Sequence, residues 1–256
     1  MTGHGLRVAL VQHASGLDPA ANRALLDRLT PDDADLVVLP EAFARDFGEA
    51  GSDVSPYAEP VDGPFATELA RVAAARGTTL LAGMFETSED TDRPWNTLAL
   101  RGAAVADYRK VHLYDSFGYR ESDRISAGEV TAVTAALRGM TLGLMTCYDL
   151  RFPEQSRALV DAGADVLVVP AAWVAGDRKV DHWRTLVRAR AIENTAYVVA
   201  VGQPGPRYSG HSMVVDPLGD ILVEAGEEAA TLIATLEPET VVQARRTNPS
   251  LGNRRR

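Results

Sequence analysis

The segment DLVVLPE spans residues 35–41, and a similar segment, DVLVVPA, spans residues 165–171. In both, an aspartate precedes a short apolar run that reaches a proline, a pattern that indicates a strand buried on both faces. Each is preceded by another apolar segment, LRVALVQ at 6–12 and MTLGLMTC at 140–147, with room for one helix between them. Strands joined through a helix are normally parallel. The sequence therefore indicates two similar strand–helix–strand halves.

The remaining patterns extend these halves into an α/β protein. We expect helices over 19–29, 64–76 and 181–194, with Gly77 ending the second and Pro153 beginning a further helix. Strands are expected at 78–85, 95–100 and 103–110, and again within TAYVVAVG, GHSMVVDP and DILVEA in the last third. The two halves can pack sheet against sheet with helices outside. Because no linker or charge run divides the chain, residues 1–256 are expected to form one domain.

Composition excludes several classes of partner. A formal net charge of −9 and a pI near 5.1 argue against nucleic acid or an anionic membrane as the main partner. No segment approaches about 18 uninterrupted apolar residues, so no membrane-spanning helix is expected. Cys147 is the only cysteine, which excludes an internal disulfide and predicts a cytoplasmic location.

Cys147 stands where an apolar run meets a polar turn. A lone cysteine is most often a small buried residue. Here, however, it ends a predicted strand, and the carboxyl edge of a sheet is where α/β enzymes present reactive groups. Tyr148-Asp149-Leu150-Arg151 follows and precedes a helix start, and positive potential from Arg151 and from that helix lowers a thiol pKa. These features favour a nucleophile over a packing residue.

Two more ionisable residues end predicted strands. Glu41 ends DLVVLPE and Lys110 ends AAVADYRK. Taken alone, either residue could simply be a charged side chain exposed to solvent at the end of a strand. Together with a cysteine, they supply a base, an oxyanion donor and a nucleophile for acyl transfer. The histidines show no metal-ligand spacing, and no G-x-S-x-G, G-x-G-x-x-G or Walker motif occurs, so neither a metal nor a cofactor is expected.

These residues lie in a series of motifs that spans nearly the whole chain: LPE at 39–41, YRKVHLYD at 108–115, YRESDRISAG at 119–128, CYDLRFPE at 147–154, PAAW at 170–173, RARAIEN at 188–194 and GHSMVVDPLG at 210–219. In this order the motifs resemble the nitrilase superfamily of carbon–nitrogen hydrolases. The resemblance implies a four-layer α-β-β-α sandwich and a catalytic triad of Glu41, Lys110 and Cys147. It also implies that Glu121 is an additional glutamate beside the triad.

The resemblance also implies a reaction. CYD after the catalytic strand is similar to the amidase branch, and CYDLRFPE is similar to omega-amidases and deaminated glutathione amidases. Such an enzyme hydrolyses a small carboxylated amide to acid and ammonia through a thioester, without a cofactor, and commonly forms a homodimer or higher homo-oligomer. A hydrolase of N-carbamoyl amino acids, a nitrilase with the same triad, and a non-catalytic interaction protein on this fold remain alternatives.

Substrate-binding residues are predicted from their positions near Cys147. The backbone N–H of Tyr148 is expected to stabilise the oxyanion, and Trp173 is expected to line the pocket. Arg151, Arg178 and Arg184 are candidate partners for a substrate carboxylate, because arginine binds carboxylate with two hydrogen bonds. Alternatively, the three arginines are surface or ion-paired residues and Trp173 belongs to the core, with no role in substrate binding.

Overall fold

The computed structural model describes residues 5–255. The strands are β1 (Leu6–Gln12), β2 (Leu36–Val38), β3 (Thr79–Glu86), β4 (Trp95–Arg101), β5 (Ala106–Arg109), β6 (Asp115–Ser116), β7 (Tyr119–Arg120), β8 (Thr134–Leu137), β9 (Met140–Leu144), β10 (Val166–Ala171), β11 (Tyr197–Gly202), β12 (Met213–Val215), β13 (Ile221–Glu224) and β14 (Ala230–Leu236). The α-helices are α1 (Pro19–Leu29), α2 (Pro64–Arg76), α3 (Pro153–Asp161), α4 (Lys179–Asn194) and α5 (Pro238–Thr247). No helix among the described residues is long and apolar enough to cross a membrane.

Two six-stranded sheets carry the fold. The first has the order β14-β1-β2-β3-β4-β5 and the second has the order β13-β12-β11-β10-β9-β8. The centre of each sheet is parallel: β1 pairs with β2 and β2 with β3, while β9 pairs with β10 and β10 with β11. The outer strands are antiparallel. The two similar halves indicated by the sequence are therefore the parallel centres of two sheets.

Alternating residues of the central strands face two different cores. In β1, Val8 and Leu10 contribute to the core between the sheets, whereas Ala9 and Val11 pack with residues of α1 and α2. β10 behaves in the same way, because its odd and even positions divide between the central core and the core beneath α3 and α4. Burial on both faces explains why residues 8–11 of β1 and all residues of β10 are apolar. The predicted α-β-β-α sandwich is confirmed.

Several boundaries match the sequence patterns, and several do not. The helices over 19–29 and 64–76 have the predicted bounds, and Gly77 ends the second in a left-handed conformation at φ 64°. α4 begins at Lys179 rather than at residue 181. β9 ends at Leu144, and Cys147 instead begins a 3-10 turn, Cys147–Arg151. The edge strand β14, which pairs with β1, was missed because its faces are partly exposed and its apolar pattern is weak.

Gly83 gives a test of how tightly the fold positions one candidate catalytic residue. A β-carbon at this position in β3 would lie 2.8 Å from Glu41 Cα and would overlap the backbone nitrogen of Ala42. We expect Gly83→Ala to lower the free energy of unfolding by about 1–3 kcal/mol, as overpacking does, and to displace Glu41. Gly226→Ala is the matched control, because no atom lies within 4 Å of its added carbon. Urea unfolding compares them, and equal stability of the two variants would contradict this packing constraint.

Candidate active site

The candidate catalytic residues come from segments that follow strands of both sheets. Glu41 follows β2, and Lys110 follows β5 in the same sheet. Cys147 follows β9 of the second sheet. Glu121 begins a 3-10 turn, Glu121–Asp123, directly after the short β6–β7 hairpin. All four side chains line one cavity, so the structure brings together the four residues that the sequence singled out.

Lys110 is the centre of this cluster. Its Nζ donates to Glu41 Oε1 at 2.9 Å and to both oxygens of Glu121, at 2.9 and 3.1 Å. The three side chains are almost completely buried. Burial alone would lower the pKa of Lys110, but the charges of Glu121 and Glu41 outweigh it and raise this pKa well above its usual value. Lys110 is therefore a fixed ammonium inside the protein.

Glu41 is held by contacts from both sheets. Its Oε1 also accepts a hydrogen bond of 2.7 Å from the Asn96 side chain in β4, and its Oε2 accepts one of 2.6 Å from the backbone N–H of Ala172, just after β10. The Gln203 side chain donates to the backbone carbonyl of Glu41 at 3.1 Å. One carboxylate thus receives donors from both halves of the sandwich, which fixes its orientation toward the cavity.

Cys147 has an unusual backbone and a perturbed thiol. Its φ is 45°, in the left-handed region that residues other than glycine seldom adopt, and such strain is concentrated at functional sites. Burial, followed by the negative charge of Glu41, raises the pKa of the Cys147 thiol well above its usual value, although Lys110 opposes this shift. The resting cysteine is therefore a neutral thiol that requires a base when it reacts. The sequence had suggested the opposite, a pKa lowered by Arg151.

A buried carboxylate holds the turn that carries Cys147. Asp149 Oδ2 accepts hydrogen bonds from the Tyr108 hydroxyl at 2.6 Å and from the Thr146 N–H at 2.8 Å. Its Oδ1 accepts the His112 N–H at 3.0 Å and lies 2.8 Å from His112 Nδ1. These donors compensate a carboxylate that has no exposure to solvent. Asp149 accordingly stabilises the strained backbone conformation of the neighbouring cysteine.

The cluster opens into a cavity of about 920 Å³. Tyr148, Arg151 and Trp173 all line it, and the Arg151 guanidinium lies 4.8 Å from the centre of the Trp173 ring. Arg178 also reaches the wall but is exposed and paired with Asp181 at 3.0 Å. Arg184 pairs instead with Glu224 and is not part of the cavity wall. Of the three candidate arginines, Arg151 is thus the one that faces the cavity and has no carboxylate partner within residues 5–255.

Three residues of this site were missed from the sequence. Asn96 is a fully buried polar residue within β4. A polar residue inside a predicted strand was the signal in the sequence that could have drawn attention to it. Tyr114 donates its backbone N–H to Glu121 Oε2 at 2.7 Å, and its hydroxyl lies 3.0 Å from Lys179 Nζ. No pattern in the sequence pairs Tyr114 with Lys179.

Across residues 5–255 no group of three or more histidine, cysteine, aspartate or glutamate side chains could hold a metal ion.

Comparison with known proteins identifies the family. Residues 7–246 match the carbon-nitrogen hydrolase family. The chain belongs to this family. It is accordingly a hydrolase of carbon–nitrogen bonds other than peptide bonds, and the predicted superfamily and reaction class, a cysteine amidase, are confirmed.

Relatives of this carbon–nitrogen hydrolase include proteins named as amidases. It is 43% identical over 235 residues to deaminated glutathione amidase of Escherichia coli O157:H7, covering 91% of this chain and 89% of that one. It is 36% identical to 2-oxoglutaramate amidase of Paenarthrobacter nicotinovorans, covering 87% and 79%. A solved mutant of the amidase from Nesterenkonia sp. AN1 is 30% identical, with a TM-score of 0.79 and coverage of 99% and 98%. That mutant carries the acetamide moiety of fluoroacetamide covalently at its active-site cysteine.

The raised thiol pKa can be measured directly, because Cys147 is the only cysteine of the chain. The rate of alkylation by iodoacetamide should rise with pH to a midpoint above the ordinary thiol value of 9.0, since the thiolate forms only there. Glu41→Gln removes a negative charge that raises this pKa and should move the midpoint to lower pH. Intact-protein mass spectrometry gives the rates.

Glu49→Gln is the matched control, because Glu49 lines the same cavity but is not among the main causes of the raised thiol pKa, and its midpoint should stay close to that of the wild type. A wild-type midpoint below 9.0, or equal midpoints in the wild type and Glu41→Gln, would contradict the account of the thiol.

Proposed function

We propose that this chain hydrolyses a small amide that carries a carboxylate, giving the acid and ammonia through a thioester on Cys147. The observation that carries the proposal is the buried Lys110 ammonium, bonded to Glu41 and Glu121 beside the single cysteine of the chain. These are the groups that acyl transfer requires: a nucleophile, a base and a fixed positive charge.

Glu41 is the general base in the first step. The Cys147 thiol is neutral at rest, so its proton moves to Glu41 as the sulfur attacks the amide carbon and forms the C–S bond. The donors from Asn96 and Ala172 keep the Glu41 carboxylate aligned with the cavity. The electron pair of the carbonyl double bond passes to oxygen, which becomes an oxyanion.

Lys110 stabilises that oxyanion. Its ammonium is already fixed by two carboxylates, so little reorganisation is needed as negative charge develops, and the backbone N–H of Tyr148 is a second donor. The C–N bond then breaks, and Glu41 returns its proton to the departing nitrogen, which leaves as ammonia. Water that Glu41 deprotonates next attacks the thioester, releasing the acid and restoring the thiol. In comparable enzymes, loss of one oxyanion donor lowers kcat by about 10²–10³-fold.

Glu121 positions Lys110 and the wall beside it. Its two oxygens receive the Lys110 ammonium and the Tyr114 N–H. Burial, and then the charge of Glu41, raise the pKa of Glu121, whereas Lys110 opposes this. Glu121 therefore acts by holding Lys110 and the Tyr114 backbone, while Glu41 serves as the base.

The substrate class follows from the relatives and from the charge of the cavity. Deaminated glutathione and 2-oxoglutaramate, in the names of two relatives, are both amides that carry carboxylates. Arg151 supplies the cavity with a cation that has no carboxylate partner among the described residues. A carbamoyl amino acid or a nitrile would use the same triad, so these compounds belong in the test.

We also propose that the chain is cytoplasmic and forms a homodimer or larger homo-oligomer. A free catalytic thiol suits a reducing compartment. Ile192 of α4 is 43% exposed and packs close to the backbone of Gly219, and Leu218, the residue before this glycine, is 53% exposed. Both supply apolar surface for association. Sedimentation velocity would decide the oligomeric state, and a monomer at micromolar concentration would count against it.

Ammonia release from a panel of compounds tests the reaction. The panel contains 2-oxoglutaramate, 2-oxosuccinamate, glutamine, a nitrile and a carbamoyl amino acid, with a separate product assay for deaminated glutathione. A carboxylated amide should be turned over. Cys147→Ala should lose more than about 10³-fold in kcat because it lacks the nucleophile, and Glu41→Gln should lose about 10²–10⁴-fold because it lacks the base.

Glu49→Gln is again the control for Glu41→Gln, since Glu49 shares no hydrogen bond with the cluster, and it should stay within about threefold of the wild type. Activity that survives in Cys147→Ala would refute the mechanism. A wild-type protein that turns over no compound of the panel would favour a non-catalytic interaction protein on this fold.

A further inference from the structure

Lys179, the first residue of α4, is a buried ammonium at the cavity wall. The residue is 9% exposed, and its Nζ lies 3.0 Å from the Tyr114 hydroxyl. Aromatic rings surround the charge: Nζ lies 4.2 Å from the centre of the Phe117 ring, 5.2 Å from that of Tyr114 and 5.9 Å from that of Trp173. Its partners are therefore a neutral hydroxyl and the faces of aromatic rings.

Apart from Arg151, the other lysine and arginine side chains of the cavity wall form ion pairs with carboxylates. Lys110 is paired with Glu41 and Glu121, Arg178 with Asp181, and Arg207 with Asp46. Within residues 5–255, neither Lys179 nor Arg151 forms an ion pair with a carboxylate. The Nε of Arg151 is buried without any hydrogen-bond partner, and its NH2 group lies 3.5 Å from His182 Nδ1.

Trp173 places these two cations on the same wall. Its ring lies under the Arg151 guanidinium, and its indole N–H donates to the backbone carbonyl of Lys179 at 2.9 Å. A buried charge without a counter-ion is costly, so Lys179, with the half-buried Arg151 beside the same ring, favours an anion at this wall. The N-terminus of α4, a helix of 16 residues, adds positive potential at the same place.

Tyr114 sets the distance between this wall and the reacting groups. Its backbone N–H bonds Glu121, which holds Lys110, while its hydroxyl reaches Lys179. The Lys179 ammonium is thus separated from the Lys110 cluster by about the length of one tyrosine side chain. An ω-amide of a short dicarboxylic acid has this arrangement, with a reactive amide at one end and an anion at the other.

We propose that Lys179 and Arg151 bind the carboxylate at the end of the substrate remote from the scissile amide. This inference rests on the proposed function and adds the residues that select an acid over a neutral amide. Phe117, at the turn of the β6–β7 hairpin, covers the Lys179 ammonium and limits its hydration, which strengthens its attraction for a carboxylate.

Lys179→Met tests the proposal with two substrates of matched length, glutaramate and pentanamide, which differ in the terminal carboxylate. Methionine keeps a flexible apolar side chain among the aromatic rings and removes the charge. We expect kcat/KM for glutaramate to fall about 10–100-fold, mainly through KM, because a charge-assisted contact is lost. The value for pentanamide should stay within about threefold, and Lys179→Arg should restore part of the activity on glutaramate.

Arg184→Met is the matched control, because it removes a cation from the same helix at a position outside the cavity wall. Arg184→Met should leave the ratio of the kcat/KM values for the two substrates unchanged. If Lys179→Met lowers kcat/KM equally for the two substrates, Lys179 has a structural role and the proposal fails. The proposal also fails if Lys179→Met leaves kcat/KM for glutaramate unchanged.

A binding measurement separates this proposal from the amidase reaction. Isothermal titration of the Cys147→Ala protein with glutarate requires no turnover, and adding Lys179→Met should weaken the binding about 10-fold or more. If glutarate binds in this way while no amide is hydrolysed, the carboxylate subsite stands and the proposed function fails. If Cys147→Ala does not bind glutarate, or binds it equally with and without Lys179→Met, the subsite is overturned.

Discussion

The buried ammonium of Lys110 is the interaction on which the rest of the site depends. Glu41 and Glu121 are both almost fully buried, and two such carboxylates would repel each other without a cation between them. Lys110 hydrogen bonds to both, and their charges raise its pKa despite its burial. Removing Lys110 would leave two uncompensated carboxylates, so the base, the oxyanion donor and the second glutamate form one unit that cannot be divided into separate contributions.

The four-layer fold makes this cluster possible. The strands beneath it commit their side chains to two cores, as Val8 and Ala9 of β1 do, so reactive groups occur only in the segments after the strands. The site combines such segments from both sheets, and the Glu41 carboxylate makes the connection by accepting the N–H of Ala172. Packing of the two sheets thereby sets the geometry of the base. The absence of a β-carbon at Gly83 provides the space that this arrangement requires.

Much of this was predictable, because both periodicity and residue chemistry are local in the sequence. Apolar strands around Leu36–Val38 and Val166–Ala171 predicted the sandwich, and ionisable residues after strands indicated Glu41, Lys110 and Cys147. A polar turn after Cys147 was predicted, but its start at Cys147 itself was not predictable from the apolar run, since hydrogen bonds to Asp149 from distant segments hold the turn. The same limit applies to Lys179: the sequence drew attention to neighbouring arginines, whereas burial beside Tyr114 depends on tertiary packing.

The central claim is that Cys147 carries the acyl group during turnover. Acid quenching of the enzyme at saturating carboxylated amide, followed by mass spectrometry of its peptides, tests this most directly. The peptide that contains Cys147 should gain the mass of the substrate less ammonia, and the gain should be absent from Cys147→Ala. Continued turnover with no adduct on that peptide, or an equal adduct in Cys147→Ala, would contradict the account.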